Sequence, residues 1–338
     1  MRKKDILARA CHVTGAFAFW RALGADRLRV LAYHRVVPGA EDATWPFDVE
    51  LISATPEDFR WQMEHVARHF RPVTLTEVVD AIAGGRELPR RAMLVTFDDG
   101  FSDNHDYALP VLREVGVPAC VFIATDLIGT EHRFWFESVA RVVMAAPPGV
   151  RLAPAAGFEL VVADRPEARR AQIAGLLGRL KRVPEESRDA VVQALAAQCP
   201  PPAERAVESL SRSMTWDQVR AMYRAGIEFG AHGASHAVLA QLRPDALDAE
   251  LVRARAAIER ELGAAPRALA YPVGGPDAYT PEVIAAARRA GYVAGFSYIQ
   301  GDNPRTGADA FNLRRQHVER STRRAYFAGL SAWPAMFS

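Results

Sequence analysis

Along most of the 338-residue chain, short apolar runs bounded by turn residues alternate with segments of helical period. That alternation restricts the fold more than any other feature, because it calls for parallel strands joined by crossover helices. The expected strands cover 28–34, 72–75, 92–97, 118–124, 227–231, 267–271, 292–297 and 311–318. Their number suits a barrel, and the expected class is α/β. Between them, 56–70 places Phe59, Met63, Val66 and Phe70 on one helical face. Residues 246–262 do the same with Leu247, Leu251, Ile258 and Leu262. Both stripes read as core.

Residues 137–213 break the pattern with Pro147-Pro148, a hairpin near 158–162, two Ala/Arg/Glu-rich helical stretches and Pro200 to Pro202. They are expected to form a mostly helical insertion. The expected organisation is an N-terminal helix over 1–27, a barrel in two pieces (28–136 and 214–320), the insertion 137–213, and a C-terminal helix or tail over 321–338. Lys+Arg 42 against Asp+Glu 40 leaves a formal charge of +2, without the basic excess of a nucleic-acid binder. Three cysteines with no CxxC spacing indicate neither a disulfide framework nor a thiolate zinc site. No apolar stretch is long enough to span a membrane. Arg2, Lys3 and Lys4 precede a short apolar run, Gly15 to Trp20, too brief for a signal peptide. The expected location is the cytoplasm, with residues 5–24 as an amphipathic helix that is either soluble or lies against a membrane; the periplasm is the competing placement.

Two clusters carry chemistry. At Leu94-Val95-Thr96-Phe97-Asp98-Asp99-Gly100 a hydrophobic strand runs into two adjacent carboxylates and a glycine. Strand ends are where α/β folds collect their sites, although Asp and Gly also occur wherever a chain simply turns. After another strand, His232 and His236 stand four apart, which on a helical turn would aim both imidazoles at one divalent metal. Two imidazoles and one carboxylate make a ligand set with open positions, which leaves the second carboxylate as a base.

Thr96-Phe97-Asp98-Asp99-Gly100 followed by His232-x-x-x-His236 resembles the first two motifs of the polysaccharide deacetylases of the NodB-homology type, carbohydrate esterase family 4. The resemblance runs from about Arg29 to Val318, with 137–213 outside it. It implies a distorted (β/α) barrel of about seven or eight strands with the mostly helical insertion. It implies Asp98 as general base, and Asp99, His232 and His236 as ligands of a divalent metal, normally Zn2+. Ala270-Tyr271-Pro272-Val273-Gly274 resembles the third motif, which points to the Val273 amide, with Tyr271 beside it, at the oxyanion. Asp103-Asn104 and the stretch 109–122 resemble the helix and strand that follow the first motif.

The departures are informative. Gly233 stands where most members carry Ser or Thr, so the hydrogen bond that braces the metal loop is missing unless Ser235 supplies it. Ala270 stands where many have an arginine that orients the base; Arg314 or, preferably, Arg315 replaces it. The late Leu-x-Leu-His that supplies the acid is not clearly present. His317 is one candidate for the acid. Tyr33-His34 resembles the early Tyr-His motif of a branch with permuted motif order, and His34 is preferred. The implied activity is metal-dependent removal of N-acetyl groups from an amino sugar of a bacterial exopolysaccharide or surface-glycan precursor. The partner would be an N-acetylated glycan or lipid-linked saccharide. A metal-containing but impaired carbohydrate-binding protein and an O-acetyl esterase are the alternatives. Trp135 and Trp216 flank the insertion as packing residues or as a sugar platform.

Overall fold

The structure, a computed structural model, describes residues 8, 11, 16–39, 45–200 and 211–337. Its strands are β1 (Arg27–Tyr33), β2 (Arg35–Val36), β3 (Ile52–Ala54), β4 (Arg71–Pro72), β5 (Ala92–Phe97), β6 (Ala119–Ile123), β7 (Arg151–Leu152), β8 (Leu160–Val161), β9 (Glu228–Ala231), β10 (Ala268–Ala270), β11 (Ala294–Gln300), β12 (Asn303–Pro304) and β13 (Leu313–His317). Parallel pairing runs β1-β13-β11-β10-β9-β6-β5. β5 returns to β1, with Arg29 to Tyr33 opposite Met93 to Phe97, and so closes a seven-stranded barrel.

Every residue of β5 and β6 is buried, as expected of strands covered on both faces. Alternate residues part to opposite sides. Leu28, Val30, Leu94, Cys120, Phe122, Ala270, Phe296 and Leu313 fill the interior, with the helix Leu75–Ile82 at its base. Leu31, Val95, Val121 and Leu269 face outward into the layer between the barrel and its helices, to which the helix Pro56–His69 contributes Phe59, Met63 and Val66.

The strand expected at 72–75 is a correction. Pairing to β5 stops at Pro72, and β4 lies on the outer flank of the ring. Leu75 instead opens a helix, because Thr74 and Glu77 form a reciprocal capping box that ends the extended run. β12, which the alternation does not announce, adds antiparallel to the start of β1.

Between β6 and β9 the chain forms the helix Trp135–Ala145, the β7–β8 hairpin, and the helices Pro166–Leu180 and Glu185–Gln198. These share a second apolar core that is continuous with Phe101 and Ala124 at the barrel rim. Residues 201–210, which include Pro201 and Pro202, lie outside the described residues.

Of the surface helix expected over 5–24, the described part is Ala8, Cys11 and the helix Ala16–Leu23. Its Trp20 stacks on Trp333, with ring centroids 3.8 Å apart. Phe19 and Leu23 stand 60% and 64% exposed. Among the described residues no helix is long and apolar enough to cross a membrane. The described tail is helical over Arg324–Ala332 and Pro334–Phe337.

Candidate active site

Adjacent residues on a strand point to opposite faces, so Asp98 and Asp99 can share a cavity only if the chain turns between them. It does. The Asp98 amide is still held by the Tyr33 carbonyl at 2.9 Å. Asp99 then takes a left-handed conformation (φ 74°) and Gly100 another (φ 81°). Both carboxylates are 1% exposed and line one cavity of about 220 Å3 at the C-terminal rim of the barrel.

The imidazoles arrive by a route other than the helical turn their spacing suggests. Residues 232–236 form no helical turn. They follow a loop in which Gly233 (φ 71°) and His236 (φ 63°) are both left-handed, and the rings still meet, with centroids 4.9 Å apart. His232 Nδ1 donates to the Ala270 carbonyl at 2.8 Å, which leaves its Nε2 as a lone-pair donor. That Nε2 lies 3.5 Å from Asp99 Oδ1, and His236 Nε2 lies 3.2 Å from the same oxygen. Ligand atoms of the three residues fall within 4.8 Å of one another, and Asp99 Oδ1 is buried without a well-formed hydrogen bond. One carboxylate and two imidazoles, with an orphaned anionic oxygen between them, fit a divalent cation. Burial, only partly opposed by the Asp98 charge, pushes His232 down to about 4 and keeps it neutral, as a ligand must be.

The loop after Gly233 is braced by a residue that no motif points to. Glu250 Oε1, from the helix Pro244–Leu262, accepts from the amides of Ala234 (2.8 Å) and Ser235 (2.7 Å) and from Ser235 Oγ (3.0 Å). A Cβ on residue 233 would lie 2.8 Å from that oxygen, so glycine here belongs to a substituted brace. The available signal is an acidic residue beside Leu247 and Leu251 on a stripe that reads as core.

Arg315 occupies the place left by Ala270. Its Nη1 and Nη2 donate to Asp98 Oδ1 and Oδ2, both at 2.7 Å, while its Nε donates to the Ser297 carbonyl at 2.9 Å. Burial alone would raise the Asp98 carboxyl. The Arg315 charge and fork, helped by His232 and His34, hold it well below the usual carboxylate range. Arg314, the other candidate, is exposed.

His34 follows β1 and lines the cavity with its Nε2 4.0 Å from Asp98 Oδ2. His317 does not line it. Its ring stacks on Tyr298 at 3.5 Å, and burial and the Arg315 charge push it down to about 3, so the imidazole is neutral at neutral pH. Tyr298, the second residue that sequence patterns do not single out, packs edge-on to His34, and its ring centre lies 5.5 Å from the Arg315 guanidinium. Tyr271 lines the wall, but its hydroxyl donates away to the Phe311 carbonyl at 3.0 Å. Val273 also lines the cavity, left-handed at φ 65°.

The mouth is shared between barrel loops and the insertion. Leu51, Trp135, Phe136, Leu177 and Lys181 line it, the last two from the helix Pro166–Leu180 and the residue after it. Phe134 and Phe136 enclose the His236 ring, with centroids at 5.2 and 5.5 Å. Trp216 packs against the core instead, beside Gly129.

A closed parallel barrel with carboxylates and imidazoles gathered at its C-terminal rim is the architecture of an enzyme. The chain matches the polysaccharide deacetylase family over residues 85–163 and 180–295, more than half its length, and belongs to that family. The matched stretches reach into 137–213. The poly-β-1,6-N-acetyl-D-glucosamine N-deacetylase of Escherichia coli (strain K12) is 32% identical over 89 residues, which are 26% of this chain and 12% of that protein. The protein of the same name from Staphylococcus epidermidis is 29% identical over 86 residues, 25% of this chain and 29% of its own. In shape, the Streptococcus pyogenes deacetylase PplD, solved with acetate, aligns at a TM-score of 0.58 and 16% identity over 88% of this chain and 94% of its own. IcaB from Ammonifex degensii aligns at 0.57 and 20% identity over 93% and 98%. At such identities the likeness bears on the fold.

Proposed function

We propose that this protein hydrolyses the N-acetyl group of an N-acetylglucosamine-type unit in a bacterial surface or exopolysaccharide glycan, with a divalent metal, Zn2+ by its donor set, held by Asp99, His232 and His236. The observation that carries this reading is the different condition of two neighbouring carboxylates. Asp98 is gripped by the Arg315 fork, whereas Asp99 Oδ1 sits between two imidazole nitrogens without a donor. When bound, the cation would supply Lewis acidity to the attacking water and to the acetamide carbonyl.

This chain's own groups then divide the proton work. Asp98, ionised across the physiological range, accepts the proton of the water. His34, about 4 Å away, delivers one to the departing sugar nitrogen, which could not leave as an anion. Val273, left-handed in the cavity wall, supports assigning to its amide the charge that develops on the carbonyl oxygen. Leu177 and Lys181 give the insertion a part in seating the glycan. The substrate class draws on the two relatives named for poly-β-1,6-N-acetyl-D-glucosamine.

The test is acetate release from β-1,6- and β-1,4-linked N-acetylglucosamine oligomers by the zinc-loaded protein. Asp98→Asn is expected to lower the rate by about 10²- to 10⁴-fold with metal content nearly unchanged, and His232→Ala to remove both. Release that survives both substitutions overturns the assignment. Binding of these glycans with no acetate released would identify a carbohydrate-binding protein, and release only from O-acetyl glycans an esterase.

A further inference from the structure

We propose that a buried cluster of Arg35, Asp103, Glu137 and Ser211 is a positioning device for His34, fastening both feet of the insertion to the residue beside the proton donor. The proposal rests on reading His34 as that donor.

None of the four side chains lines the cavity, and each is 3% exposed or less. Arg35 Nε donates to Asp103 Oδ2 at 2.9 Å, and its Nη1 donates to Ser211 Oγ at 2.8 Å and Glu137 Oε1 at 3.3 Å. The Ser211 hydroxyl donates in turn to Glu137 Oε1. The guanidinium lies between the Trp45 and Phe101 rings, 5.1 and 4.4 Å from their centroids.

The cluster reaches His34 through its backbone. Asp103 Oδ1 accepts from the Val36 amide at 2.9 Å, and Asn104 Nδ2 donates to the His34 carbonyl at 2.8 Å. Ser53 Oγ accepts from the His34 amide at 2.9 Å. Polar side chains therefore hold the His34 amide and carbonyl and the Val36 amide, directly after the last residue of β1.

Its other arms are the feet of the insertion. Glu137 stands in the first turn of the helix that places Trp135 and Phe136 in the cavity wall. Ser211 is where the chain comes back, one residue before the Arg212 carbonyl takes the Ser102 amide at 2.7 Å. Burying a guanidinium and two carboxylates is a poor way to gain stability, since apolar residues of similar volume do as well or better. What the polar set adds is a fixed relative placement of three chain segments, and a proton donor displaced by about 1 Å loses much of its effect.

The experiment separates proton donation from folding by leaving group. Acetamide hydrolysis needs a proton on nitrogen, whereas 4-nitrophenyl acetate expels nitrophenolate without one. With the zinc-loaded full chain, His34→Ala is the reference and is expected to lower acetamide turnover at least tenfold more than aryl acetate turnover. Glu137→Ala and Ser211→Ala are expected to follow it, with about tenfold selective loss on the acetamide. Glu137→Gln, which keeps an oxygen for Arg35 and Ser211, should restore most of it. Parallel loss on both substrates, or no loss on either, in Ser211→Ala overturns the positioning role, and that variant decides if Glu137→Ala does not fold. A His34→Ala protein without selective loss instead overturns the reading of His34, independently of what the cluster variants do.

Discussion

Glu137 and Asp103 share one guanidinium, so ionising both leaves a net negative charge in a site that water does not reach. Burial pushes Glu137 up to about 7 against the opposing pull of Arg35, Ser211 and Arg133, and burial raises Asp103 as well. The unfolded chain releases the Glu137 proton near its ordinary value while the folded protein keeps it up to about 7. The contribution to stability is thus complete below about pH 4.5, falls as pH rises, and is gone above about pH 7. A rise from 4.5 to about 7, at 1.36 kcal/mol per pH unit, makes this loss about 3 kcal/mol. Glu137→Gln keeps the shape and cannot ionise, so it is expected to match the wild type near pH 4.5 and to exceed it by about 3 kcal/mol at pH 8. Urea unfolding of both proteins at a fixed zinc concentration, from pH 4.5 to 8.5, gives the difference curve and cancels titrations common to both. A difference that does not vary with pH, or that moves against the variant as pH rises, would refute the reasoning.

Three further outcomes follow from the same contacts. Arg315→Met leaves Asp98 buried without its partner and is expected to cost about 3 to 5 kcal/mol in unfolding free energy, with at least hundredfold lower acetate release; Arg315→Lys should recover part of the stability and little of the rate, because the fork is lost. Gly233→Ala forces a Cβ into a left-handed residue against Glu250 and is expected to destabilise by about 1 to 3 kcal/mol and weaken zinc binding, read by unfolding and competitive zinc titration; unchanged affinity would remove Glu250 from the account of the loop. If the exposed Phe19 and Leu23 rest on lipid, vesicles containing anionic phospholipid should sediment the wild type but not Phe19→Ser/Leu23→Ser, with turnover on soluble oligomers the same in both; equal sedimentation would end that placement.

Part of this site is legible in the amino-acid sequence. Two carboxylates after a short apolar run, and two histidines after another, can be placed at strand ends because a parallel barrel sends all those ends to one rim. The missing arginine can be sought at Arg315 only through the family resemblance, since Arg315 lies in the middle of β13 and not at its end. Local geometry is harder to read. Spacing by four suggests a helical turn at His232 and His236, but Gly233 and a left-handed His236 produce the same convergence from a loop. Pro72 to Leu75 resembles a strand because the apolar residues that open a capped helix look like one until Thr74 and Glu77 are seen to close on each other. Glu250, Tyr298 and the Arg35 cluster are invisible for another reason. The partners lie 15 residues apart for Ser235 and Glu250, and 176 for Arg35 and Ser211, and nothing in one segment announces its counterpart.

The seam between β1 and its two neighbours has a consequence for when the protein becomes competent. β1 pairs with β5, which follows it in the first third of the chain, and with β13, which comes near the end. During synthesis β1 and β5 are available early, and Asp98, Asp99 and His34 can approach one another. Arg315 emerges only with the last strand, so until then the base has no guanidinium and the ring has an open edge. A chain stalled or cut before residue 313 would therefore carry Asp98, Asp99, His232 and His236 without Arg315 to grip Asp98, and would expose an unpaired strand edge. Closure of the barrel and completion of the site are in this way a single late event, and premature products would be expected to aggregate or be degraded.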